Sequence, residues 1–133
     1  MKRYITLLCL LAAMLCLSSC ITEEANYYVK YEATITSIYY GAEVNYVVAT
    51  EKGSQTITTD SKNLSEVFGP VQKGFTASIS GKSDYPPVNS SMVVNIYVCR
   101  GEEPFALKAQ DVSKENSYSD TGISASASYT IDF

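Results

Sequence analysis

The chain has 133 residues, with 10 Lys and Arg against 14 Asp and Glu, eleven tyrosines, no tryptophan and no histidine. A net charge of −4 without any Lys/Arg-rich run argues against a nucleic-acid surface, because phosphate contacts need clustered cations. The missing histidine removes Ser-His-Asp and Cys-His catalysis and the usual zinc sites together.

In chain order, the first element has the parts of an export signal. Lys2 and Arg3 form a positive start, Ile5 to Leu17 an apolar run interrupted by Thr6, and Ser18-Ser19 a small-residue end. The run is shorter than the roughly 20 residues a membrane-spanning helix needs. Leu17-Ser18-Ser19-Cys20 resembles the bacterial lipobox. That resemblance implies cleavage after Ser19 and a thioether from Cys20 to diacylglycerol, so the membrane partner is reached through lipid on Cys20. Each buried methylene contributes about 0.8 kcal/mol, and two or three acyl chains hold where one is marginal. An ordinary signal peptide cut nearby would instead leave a free thiol.

The expected organisation is a signal peptide over 1–19, a lipidated tether over 20–26 and one domain over 27–133. Removing residues 1–19 leaves 114 residues, enough for a single core, with 8 basic and 14 acidic side chains and a net charge of −6. Cys9 and Cys16 leave with the signal, and Cys20 is acylated. Only Cys99 remains, so no intrachain disulfide forms. Cys99 ends an apolar strand and reads as a buried small hydrophobe.

From Tyr27 onward the hydrophobic period is two. Tyr27, Val29, Tyr31, Ala33 and Ile35 share one face of a first strand, and Tyr28, Lys30, Glu32 and Thr34 the other. Val44, Tyr46 and Val48 mark a second strand. Glu51-Lys52-Gly53-Ser54 is turn chemistry, and Gln55 to Thr59 returns as its hairpin partner. Asp60 to Glu66 reads as a polar connection with room for one helical turn. After Gly69-Pro70, the residues Phe75, Ala77 and Ile79 mark a fourth strand, and Gly81 to Ser90 reads as a loop. Met92 to Cys99 is apolar on both faces except for Asn95, which places it mid-sheet. Phe105, Leu107 and Ala109 alternate through a sixth strand, and Asp111 to Gly122 reads as a long polar loop. Ile123, Ala125, Ala127, Tyr129, Ile131 and Phe133 share one face of the last strand. About seven strands without a long helix predict an all-β, antiparallel β-sandwich, immunoglobulin-like or transthyretin-like in outline.

The tail "ASASYTIDF" also resembles the closing strand of outer-membrane β-barrels. A barrel needs lipid-facing alternation in every strand, which the polar Gln55 to Thr59 does not supply. "YYVKYEATI", "GPVQKGF" (Gly69 to Phe75) and "PFALKA" (Pro104 to Ala109) resemble segments of small outer-envelope lipoproteins of Bacteroidota-type bacteria, motifs that name no activity. In that group, acids after the lipidated cysteine resemble a surface-display signal, matched loosely by Glu23-Glu24. That implies an outer-membrane location, lipid-anchored and facing either the periplasm or the cell surface. A tyrosine-rich sandwich behind a membrane anchor is more distantly similar to the MmpS-type accessory proteins, which usually carry paired cysteines.

No catalytic site is expected. The acid pairs Glu23-Glu24 and Glu102-Glu103 are adjacent in sequence and diverge, whereas glycosidase chemistry needs acids facing across a cleft. The 111–122 loop is rich in oxygen ligands but lacks the glycine and spacing of an EF-hand, and no cofactor fingerprint is present. Tyrosine is the excess, with ten of the eleven beyond the signal. Tyr28, Tyr39, Tyr40 and Tyr85 are the candidate exposed contacts, since tyrosine gives binding area at low entropic cost. The plainer reading is cross-strand pairing and edge covering. The expectation is therefore a non-enzymatic binding or accessory module contacting an envelope protein or glycan. The alternative is a small lipoprotein inhibitor that blocks an attacking lysozyme or protease with the Ser83 to Asn89 loop.

Overall fold

A computed structural model describes residues 24–84, 86–114 and 122–133. The signal segment, Cys20, Glu23, Tyr85 and residues 115–121 of the long loop lie outside them. Among the described residues there are eight strands: β1 Tyr27–Ile35, β2 Val44–Thr50, β3 Gly53–Thr59, β4 Asn63–Val71, β5 Thr76–Ser83, β6 Ser91–Arg100, β7 Ala106–Lys114 and β8 Ile123–Thr130. They form two open four-stranded sheets in the orders β4-β1-β6-β7 and β3-β2-β5-β8. Every pairing is antiparallel, and no helix occurs among the described residues. The chain is an all-β sandwich, as its alternation predicts. In an immunoglobulin constant domain the first two strands share a sheet, whereas here β1 and β2 lie in opposite ones.

The alternation of β1 is realised residue by residue. Tyr27, Val29, Tyr31, Ala33 and Ile35 are buried, while the other face is half-buried or exposed. β6 is central as expected, between β1 and β7. Met92, Val94, Ile96 and Val98 meet Val44, Tyr46, Val48 and Ile79 in one core. Full burial of such side chains contributes about 1.5–3 kcal/mol each. The Tyr31 hydroxyl crosses that core and donates to the Ala49 carbonyl at 2.6 Å. One side chain of the first sheet thereby reaches the backbone of β2 in the second.

Four expectations need correction. Asp60 to Glu66 holds no helical turn, because Asn63–Val71 is β4, which pairs along β1 from Asn63 opposite Thr34 to Val71 opposite Tyr27. Its residues show no alternation of their own; the free backbone groups of β1 recruit them. Gly81 to Ser90 is not all loop, since Gly81 lies inside β5 opposite Tyr46. Asp111 to Lys114 continue β7 rather than opening the long loop. Leu107 does not share a face with Ala109: a bulge sets Ile96 opposite Ala109 and Tyr97 opposite Leu107. Lys108 is the extra residue, and one extra residue reverses the facing of everything before it, leaving Leu107 49% exposed.

The topology gives the sandwich two distinct ends. The chain enters β1 at one end, near Phe133: the Tyr27 hydroxyl donates to the Phe133 carbonyl, and the rings meet edge to face at 5.4 Å. The β1–β2, β3–β4 and β5–β6 connections lie at the other end. There Met92 pairs with Ile35, Ser83 with Val44, and the Thr36 amide donates to the Ser91 carbonyl at 2.9 Å.

Candidate binding surface

The β1–β2 connection carries Tyr39 and Tyr40. The Ala42 amide donates to the Tyr39 carbonyl at 3.0 Å, closing a four-residue turn with Tyr40 and Gly41 at its centre. Gly41 has φ +76°, the value a type II turn requires at its third position and that glycine adopts without strain. The other central residue of such a turn projects. Tyr40 is fully exposed at 108% and Tyr39 is 52% exposed.

The backbone beneath them is held from two sides. Ile38 packs against the core, and the Ser91 amide donates to Thr36 Oγ1 at 2.9 Å. Next to the turn, the Ser61 amide donates to Thr59 Oγ1 at 3.0 Å, and the Ile35 amide donates to the Lys62 carbonyl at 2.9 Å. Together Ile38, Tyr39, Tyr40, Gly41, Asp60 and Lys62 line an open cleft of about 460 Å³. Two aromatic faces beside one carboxylate and one ammonium can stack on a ligand and hydrogen-bond to it. Aromatic anchors on a fixed backbone lose little entropy on binding.

No family model and no curated protein matches this chain. The reading of the surface therefore rests on its own residues.

The four candidate tyrosines do not converge. Tyr39 and Tyr40 stand together, whereas Tyr28 is half-buried on the outer face of β1, at the end where the chain enters. There its ring lies against Gly69, where a Cβ would sit 3.0 Å from Tyr28 Cδ1. Tyr28 thus covers the β4 edge, the plainer role. Tyr85 is outside the described residues. Cys99 is 6% exposed, and burial pushes its thiol above the ordinary range, against nucleophilic use. Among the described residues, no three Cys, Asp or Glu side chains converge on a metal-sized site.

Sequence reasoning missed a cluster on the outer face of the first sheet. Lys30 Nζ pairs with Glu32 at 2.8 Å and lies 4.6 Å from the centroid of the Tyr97 ring. The hydrogen bond from Lys30 lowers the Glu32 carboxyl below its usual range. The signal was present in β6, whose Val93 and Tyr97 make it apolar on both faces, but centrality alone accounted for that pattern. The outer face of the second sheet is hydroxylic instead. Thr76 and Thr130 hydroxyls bond at 2.9 Å, and Thr58 donates to Asn45 at 2.7 Å. Among the described residues it has no ring on which a sugar could stack.

Proposed function

We propose that this chain is a lipid-anchored, extracytoplasmic, non-enzymatic binding module of the cell envelope, whose Tyr39–Tyr40 rim contacts an envelope protein or glycan. The observation that carries this reading is the opposition of the two ends. The chain enters the sandwich at Tyr27, and the two exposed tyrosines sit at the far end on a stapled turn. A lipid on Cys20 places that rim away from the membrane, where a partner reaches it.

Two experiments test the parts separately. Cys20→Ala should abolish incorporation of labelled fatty acid and release the chain from membranes; a variant that stays acylated ends the anchoring proposal. The double variant Tyr39→Ala/Tyr40→Ala should fold as the parent does and lose partner capture from solubilised envelopes roughly 30-fold, the scale of about 2 kcal/mol from aromatic anchors. Undiminished capture would refute the rim.

The inhibitor reading is favoured by one local feature. In the Ser83 to Asn89 loop, Pro86 is buried and the Ser90 amide and hydroxyl both donate to the Pro87 carbonyl, which closes a turn over residues 87–90. Val88, 51% exposed, stands on the same rim. Titrating the chain against a lysozyme and a panel of proteases distinguishes the two readings.

A further inference from the structure

An open sheet has two edges, and exposed edges recruit other strands unless something blocks them. Three of the four edges in this sandwich are blocked. β4 ends in Gly69-Pro70, carries Glu66, and its pairing with β1 is irregular between Tyr27 and Val29. β7 carries the bulge at Ile96/Tyr97 and is turned onto β8. Asp111 Oδ2 accepts the outward Ser126 amide of β8 at 2.9 Å, and Lys108 Nζ lies 4.0 Å from the centroid of the Phe133 ring.

β3 differs. From Gly53 to Thr59 it reads GSQTITT, without a charge, a proline or a bulge. Gly53 through Thr56 and Thr58 are exposed, and among the described residues β3 pairs with β2 alone. Thr50 and Gly53 close the turn at Glu51-Lys52, so they form a hydrogen-bonded pair. Alternation then leaves Ser54, Thr56 and Thr58 with N–H and C=O directed off the sheet.

We infer that β3 is a pairing edge whose occupant is β3 of a second copy of this chain. Antiparallel pairing about a two-fold axis sets Thr56 opposite Thr56 of the second copy and Ser54 opposite its Thr58. Each of these three residue pairs exchanges two backbone hydrogen bonds. A two-fold contact must be self-complementary, and a charge at the axial position would face its own copy. An uncharged strand avoids that, and its Ser/Thr pairs are among the favourable cross-strand combinations. The product is a continuous eight-stranded sheet.

The test uses the full chain in membranes and in detergent. With Thr56→Cys, mild oxidation should yield a disulfide-linked dimer, because the Cα spacing of about 5.5 Å in a hydrogen-bonded pair is within disulfide reach. Val67→Cys, on the opposite sheet, should not cross-link. Thr56→Pro removes only the outward donor, and Thr56→Lys sets like charges across the axis. Each should leave the melting profile intact and reduce the dimer fraction about tenfold or more. Absence of a cross-link in the Thr56→Cys variant, its formation to a different polypeptide, or a dimer that survives both Pro and Lys would overturn the inference.

Discussion

Tyr31→Ala is expected to cost about 4 kcal/mol of folding stability, the range for truncating a fully buried aromatic, and to lower the melting temperature by roughly 15 °C. Tyr31 is 0% exposed, and its hydroxyl joins the two sheets through the Ala49 carbonyl. Tyr31→Phe separates the two contributions. It keeps the ring and its contact with Phe68 but leaves the Ala49 carbonyl unpaired, at about 1–3 kcal/mol.

The same residue predicts a pH dependence. Burial pushes the Tyr31 hydroxyl up to about 12 from 10.0, so the folded state keeps a proton that the unfolded state loses. The stability tied to that proton is whole below pH 10 and falls as pH rises from 10 to 12, by at most about 2–3 kcal/mol. Denaturant midpoints measured across this range should fall more steeply for the parent than for Tyr31→Phe. Burial also raises the Tyr46 hydroxyl, so the variant keeps part of the decline. Parallel curves would mean that the Tyr31 proton is not coupled to folding.

Gly81→Val should be nearly as damaging, at about 3 kcal/mol from overpacking. A Cβ at Gly81 would lie 2.8 Å from Tyr46 Cε1 and 2.9 Å from Met92 Sδ, and both side chains are fully buried. The ring of Tyr46 occupies the space that a side chain on β5 would take. Chemical denaturation of Gly81→Val and of Gly81→Val/Met92→Ala checks this. Restored space should return part of the loss, a coupling expected only of residues in contact. Equal stability of Gly81→Val and the parent would show that the gap is not needed.

Gly81 also shows where sequence legibility stops. Within a run it looks like a chain breaker, yet it lies inside a strand as space for a residue 35 positions earlier. β4 was hidden for a related reason: Asn63, Ser65 and Glu66 beside Gly69-Pro70 carry no pattern, and only the free edge of β1 makes a strand of them. Leu107 was misplaced because one bulge reverses parity. The candidate site was half legible. An excess of tyrosine was plain, but Tyr28 and Tyr40 look equivalent until one ring is seen against Gly69 and the other on the corner of a turn.

By itself the sequence determined the all-β class and the buried faces of β1, β2, β6 and most of β8. A period of two is a local property, set by the alternating direction of side chains along any extended chain. The export and lipid readings stand on residues 1–20 alone. Tertiary structure decided the number of strands, their order across two sheets, the opposition of the chain's entry point to the tyrosine rim, and the edge that β3 leaves open among the described residues. These depend on which distant backbones satisfy each other's hydrogen bonds, and no local pattern encodes that choice.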